Sequence, residues 1–562
     1  GLDYSSIETD WQDEAFKRNA IIQNYHISAS GGSDKSTYAL SASYFTQEGT
    51  IIGSDFERLT LRSNTSYQLT KWLKVGENIS FSNSQGRNAM NNNSSPGASI
   101  LSAALAMAPW DPVRYPEGSV NNLGEDLSGR IAASSNFKNV TNPLSMVEHT
   151  HPLDKDERWV GNVYLDIEPI KGLRLHSEVS MDLTNTMSRT FKDQYEYSSY
   201  DKNEKNFISR SMSRAQTMRY ENTLTYMHDW GKHSLTAMVG QTTEEYNYYY
   251  IGGSGASIAN PTDNNWYLNQ ATEDRTEAGD SAARTRMFSM LGRLHYSYDN
   301  RYLLDFNYRS DGASMFGTNN RFRNTWSVGV GWNIQNERFL RDSKFFQLLK
   351  LRASVGNPGN QNFAAYQAFS TYAFNGWMTN IFGTGVILNQ LGNPDLAWQE
   401  TVNYNVGTDV TVWGNRVNVT FDYYVKITDP LLAIITTPGS MGITSVTMNA
   451  GQQKTNGVEL TLKVSPVYRP HDRINWNISL NGTHAKAKYA KIGNAFSSLN
   501  NEGRASLSGM TRYYDGGSPT AIWGVRSAGI DPATGKELFI KKDGTYSFSY
   551  DVNDEVVLGD TE

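Results

Sequence analysis

Tyr302-Leu303-Leu304-Asp305-Phe306-Asn307-Tyr308-Arg309, a polar connection from Ser310 to Thr325, then Trp326-Ser327-Val328-Gly329-Val330-Gly331-Trp332-Asn333-Ile334: this stretch decides the fold. Side chains alternate across a strand. Tyr302, Leu304, Phe306 and Tyr308 therefore share one face, opposite Asp305, Asn307 and Arg309. Trp326, Val328, Val330, Trp332 and Ile334 do the same opposite Ser327, Gly329, Gly331 and Asn333. Two settings produce a hairpin that is oily on one face and wet on the other. One is an antiparallel sheet on a soluble core; the other is a membrane barrel with lipid outside and water inside.

The same rhythm fills the chain. Leu59, Leu61, Tyr67 and Leu69 oppose Arg58, Thr60, Arg62 and Gln68. Val417, Val419, Phe421, Tyr423 and Val425 oppose Asn418, Thr420 and Asp422, and Ile474, Trp476, Ile478 and Leu480 oppose Asn475, Asn477 and Ser479. The pattern predicts about sixteen strands, many near the ~9–11 residues that a tilted membrane strand requires. Composition agrees: 562 residues include 32 Tyr, 47 Gly and no Cys, so disulfides and thiolate zinc sites are excluded. The longest apolar run, Ile100 to Ala108, is far short of a membrane helix. A net charge of −6 without a Lys/Arg block argues against nucleic acid as a partner.

Short turns (Gly31 to Ser36, Thr70-Lys71, Glu168 to Gly172, Asp229 to Lys232, Tyr298 to Arg301, Trp413 to Asn415) alternate with long polar excursions. That asymmetry marks an outer-membrane barrel with periplasmic turns and extracellular loops. The expected organisation is an extracellular loop segment over 1–24, then barrel strands over 25–485 with long extracellular loops at 83–157, 185–214, 247–283, 357–397 and 428–455. A further long extracellular loop region covers 486–562. The parity of turns predicts an incomplete barrel in this numbering, with closing strands missing.

Charge placement separates barrel from sandwich. Arg or Lys at a bilayer midplane costs roughly 2–4 kcal/mol. Arg58, Arg62, Asp305 and Arg309 all fall on the faces assigned to the lumen, and a one-residue slip would move them into lipid. Trp72, Trp230, Tyr298, Tyr302, Trp332 and Trp413 lie at strand ends, as aromatic girdles do.

Several segments resemble the SusC/RagA-like family of TonB-dependent outer-membrane transporters. They include Asp10-Trp11-Gln12-Asp13-Glu14, Tyr44-Phe45-Thr46-Gln47-Glu48-Gly49, Arg309-Ser310-Asp311-Gly312-Ala313-Ser314, Leu349 to Gly356, Asn456-Gly457-Val458-Glu459-Leu460 and Gly529 to Gly535. The resemblance implies a 22-stranded transmembrane antiparallel β-barrel of the bacterial outer membrane. It also implies a plug domain (absent from these residues), a SusD-like lipoprotein lid and energy from TonB reached through the plug. Its cargo would be oligosaccharide or, in some members, oligopeptide, and transporter–lid pairs would assemble as dimers.

No catalytic constellation stands out, so the chain reads as a non-enzyme without a cofactor. His149 and His151 read as solvated loop histidines rather than a metal pair. Gly252 to Gly255 and Pro438 to Gly442 miss the nucleophile-elbow pattern, and Asp531 to Glu537 misses the EF-hand spacing. The informative loops pair rings with amides: Trp110, Tyr115, Trp266, Tyr267, Tyr372, Asn375, Trp377 and Phe382 are the candidate substrate-binding residues. A ring covers sugar C–H groups while polar neighbours meet hydroxyls. This chemistry favours glycan over peptide as cargo; the other classes weighed are a surface hydrolase or adhesin and a passive porin.

Overall fold

The structure, a computed structural model, describes residues 7–88, 99–120, 124–134, 140–197, 202–262, 265–276, 279–360, 366, 368–380, 383–469, 471–493, 496–505 and 510–561. Eighteen strands belong to one sheet; two are short (Ala271–Glu273 and Gly359–Asn360), which leaves sixteen long ones. The all-β reading and the strand number both hold. Among the described residues no helix is long and apolar enough to cross a membrane. Contacts divide the chain into two compact units: 1–167, 176–220 and 244–284 form the first, and 168–175, 221–243 and 285–562 the second.

In the first unit Ile22–Gly32, Ser36–Glu48, Ser54–Thr70, Leu73–Asn88 and Thr150–Ile170 pair antiparallel in succession. Leu61 stands between Ala42 and Phe81, and Phe81 is opposite Trp159 with ring centroids 4.4 Å apart. The apolar run that opens at Ile100 forms the short helix Ile100–Ala106, capped by Ser99. It packs with Trp11, Ile51, Met107 and Val140. The neighbouring helix Trp11–Ala15 starts at Asp10, whose carboxylate accepts from the amides of Gln12 and Asp13. The buried Trp11 indole donates to the Ala108 carbonyl at 2.8 Å.

In the second unit the opening hairpin has the expected register: Tyr302 faces Trp332, Leu304 faces Val330, Phe306 faces Val328 and Tyr308 faces Trp326. The turn before it needs positive φ at both central residues, and Asp299 (53°) and Asn300 (52°) supply it, the type I′ geometry that matches strand twist. Pairing then continues through Phe346–Asn357, Gln399–Val412, Val417–Thr428, Gln452–Arg469 and Ile474–Ala490. One apolar row therefore reads Leu304, Val330, Ala353, Val406, Tyr423, Val458 across six strands.

Those rows stay bare. Val330 is 50% exposed, Val406 60%, Phe421 40% and Leu480 61%. Apolar surface left in water costs about 25 cal/mol per Å², and soluble monomers rarely expose more than a few hundred Å² in one patch. A second protein layer over Val417, Val419 and Phe421, as a sandwich demands, is not present among the described residues. Clusters of buried apolar residues form instead around Trp11, Phe191 and Phe316.

Strands also run further than the alternation suggests. Leu73–Asn88 and Thr150–Ile170 enter the 83–157 excursion, and His233–Ile258 is 26 residues long. The end of Leu73–Asn88 is polar on both faces, and that of His233–Ile258 carries tyrosines on both faces and then a Gly/Ser stretch, so the period-two signal fades while the hydrogen-bond ladder goes on.

Candidate functional site

The polar face of the second unit is held by ion pairs built from strand parity. Arg352, Gly407 and Asp422 are cross-strand partners in one row. The Arg352 guanidinium donates to Asp409 at 3.0 Å and to both oxygens of Asp422 at 2.7 Å. Gly407 makes this reach possible: a Cβ there would sit 2.5 Å from Asp422 Oδ1 and 2.9 Å from Arg352 Cζ. One strand along, the Tyr424 ring lies across its partner Gly457. Asp305 meets His295 at 2.8 Å and Arg293 at 3.7 Å. Residues Asp305 and Arg309 thus stand on the face predicted for them.

The first unit carries an aromatic and charged cluster at the ends of long connections. Trp266 stacks on Phe191 (4.4 Å) and on His151 (5.0 Å), with the Arg189 guanidinium 5.0 Å above its ring. Asp193 takes a 2.8 Å contact from His151 Nε2 and lies 3.6 Å from His149 Nδ1. His149 stacks on Tyr195 and meets the Tyr197 hydroxyl at 2.5 Å. Burial pushes the His149 imidazole below the ordinary histidine range, against the opposing pull of Asp193. At neutral pH it is therefore neutral, and it works as a hydrogen-bonding ring rather than a cation.

The predicted site residues divide by environment. Trp110 is 46% exposed, Tyr267 49% and Tyr372 63%, so their rings stand open. Arg210 sits 4.7 Å over the Tyr267 ring. Tyr115 and Trp266 instead take part in packing: the Tyr115 hydroxyl accepts from the Ala133 amide at 3.2 Å, and Trp266, 7% exposed, lies against Phe191 of a separate connection. Asn375 and Trp377 fall on the strand Thr371–Asn380, with side chains outside the described residues, and Phe382 lies outside the described residues altogether. Sequence reading missed Phe191, Asp193 and Arg352. The parity of Asp422 was the available signal for Arg352; nothing local announces Phe191 as the partner of Trp266.

Another ion cluster organises the C-terminal part. Glu555, 1% exposed, accepts from Arg512 Nε at 3.0 Å and from Arg504 Nε at 2.7 Å. It ties the helix Ser497–Ala505 to the strand segment that ends at Asp560.

A bare apolar face, an ion-paired polar face and long decorated connections together define an outer-membrane β-barrel protein. Residues 115–556 match the model of the TonB dependent receptor-like β-barrel family, and the chain belongs to that family. Within it the chain is similar to transporters of the SusC/RagA type. It is 28% identical to the TonB-dependent receptor SusC of Bacteroides thetaiotaomicron over 514 residues, covering 87% of this chain and 49% of that protein. It is likewise 28% identical to TonB-dependent receptor P3 of Formosa agariphila over 502 residues, covering 86% and 47%. The chain thus spans about half the length of these relatives. Among solved structures, the RagAB peptide transporter superposes with a TM-score of 0.83 at 26% identity, covering 98% of this chain and 60% of that one.

Proposed function

We propose that this chain forms the membrane passage of an active importer of oligosaccharides, working with a SusD-like surface lipoprotein and energised through TonB. The observation that carries the reading is the two-faced sheet, whose bare apolar rows suit lipid and whose ion-paired face suits a water-filled passage. Long connections then lie on the extracellular side and short turns in the periplasm. The open rings of Trp110, Tyr267 and Tyr372 are the cargo contacts, while Tyr115 and Trp266 hold the loops that present them. No bond chemistry is assigned to the chain. Transporter–lid pairs associate as dimers in this scheme.

Oligopeptide import is the second reading, favoured by the superposition on a transporter of peptides. Uptake of defined glycans and peptides by cells that lack the gene tests both. Selective loss of growth on a glycan supports the first reading. Selective loss on peptides replaces it with the second, and unchanged growth on both classes refutes import.

A further inference from the structure

The Trp266 cluster does more than fold a loop: it walls a cavity of about 530 Å³. That volume falls in the range of small-ligand sites, roughly 300–1,000 Å³. Around it stand Lys17, Arg87, Arg189 and His151 as donors, and Asp55 and Asp193 as acceptors. Several of these are already engaged: Lys17 lies 3.6 Å from Glu48, His151 is bonded to Asp193, and Arg189 lies over the Trp266 ring. Arg87 is exposed and is opposite Asp55 in register, yet no ion pair joins them among the described residues. The Trp266 indole N–H has no acceptor among the described residues, but the nitrogen is sealed within its packing, so the indole walls the cavity without offering it a donor.

We infer that this cavity binds a sugar acid, a pyranose ring bearing a carboxylate within an acidic oligosaccharide. The inference rests on the glycan-import reading and narrows it. A carboxylate matches the planar fork of Arg87 and the Lys17 ammonium. Ring hydroxyls supply donors to Asp55 and Asp193. An acidic peptide supplies carboxylates but sets further negative charge against Asp55 and Asp193 with few hydroxyls to offset it. A second cavity of about 400 Å³ in the same unit is lined by Arg58, Arg62, Thr60 and Ser82 beside Arg158, whose guanidinium is already held by Asp182 at 2.7 Å.

The test uses the full-length transporter in detergent and titration calorimetry with four probes: tetragalacturonate, its methyl ester, maltotetraose and tetraglutamate. Tetragalacturonate binds best, Arg87→Gln weakens it about tenfold, as loss of a charge-assisted bond does, and the ester binds the unaltered protein as weakly as the acid binds the variant. Trp266→Phe keeps the stack on Phe191 and leaves binding unchanged, because the enclosed N–H does not reach the ligand. If it lowers the melting temperature, Arg87→Gln, at an exposed position, decides alone. Equal binding of acid and ester, or no effect of Arg87→Gln, overturns the site. Tetraglutamate binding with the same sensitivity to Arg87→Gln overturns the sugar assignment. Maltotetraose binding that ignores both variants, without binding of the acid, overturns the acidic cargo and leaves glycan import standing.

Discussion

Two adjacent residues offer a direct trial of the face assignment. Val330 is 50% exposed on the apolar row between Leu304 and Ala353. Gly329 stands on the other face, opposite Asp305, where an added Cβ would meet only ordinary contacts at 3.9 Å. Arg at position 330 puts a guanidinium into hydrocarbon, a cost of about 2–4 kcal/mol at the bilayer midplane. At roughly 1.4 kcal/mol per tenfold, the folding equilibrium constant falls about 30- to 700-fold. Arg at position 329 enters water beside a carboxylate and changes stability by less than about 0.5 kcal/mol, the usual range for surface substitutions. Denaturant titration of Val330→Arg and Gly329→Arg in lipid bilayers, followed by tryptophan emission, measures the difference. If Gly329→Arg costs as much as Val330→Arg or more, the oily rows do not face lipid and the barrel reading fails.

Other substitutions probe the packing of each unit. Gly407→Ala drives a methyl group into the Arg352–Asp422 pair and destabilises by about 1–3 kcal/mol, the usual toll of overpacking; a normal denaturation midpoint would show that the pair moves aside freely. Glu555→Gln leaves two arginines against a neutral amide and costs about 3–5 kcal/mol locally, read as faster amide exchange over 497–505. Burial pushes the Glu555 carboxyl up, but hydrogen bonds from Arg512 and Arg504 outweigh it and hold the group below the ordinary glutamate range. Its stabilisation is therefore present above the unfolded value, about 4.3, and is lost as pH falls through the lower folded value. Protection over 497–505, normalised to the intrinsic exchange rate at each pH, that stays flat from pH 7 to pH 3 would contradict this. Asp10→Ala removes the cap of the Trp11 helix and costs about 1 kcal/mol, seen as proteolysis near Phe16; unchanged cleavage would show that Trp11 alone anchors the segment.

Much of the fold was legible because strands have a period of two. Once Tyr302, Leu304, Phe306 and Tyr308 alternate with polar residues, only one parity of pairing keeps Asp305 and Arg309 out of lipid, and the structure has that parity. Where the two faces stop differing, at the polar end of Leu73–Asn88 and the tyrosine-rich end of His233–Ile258, the same logic is silent. Candidate site residues were chosen by ring and amide content, which does not distinguish an open ring such as Tyr372 from a packed one such as Trp266.

The sequence by itself determined the class: alternation, charge parity and turn lengths are local properties, and a two-faced sheet follows from them wherever they occur. Tertiary structure alone decided the constellations. Phe191 meets Trp266 and Arg352 meets Asp422 only because distant segments close on one another, the second pair across a glycine that leaves the path clear. Such meetings depend on strand stagger and loop course, and neither is written in the spacing of residues along the chain.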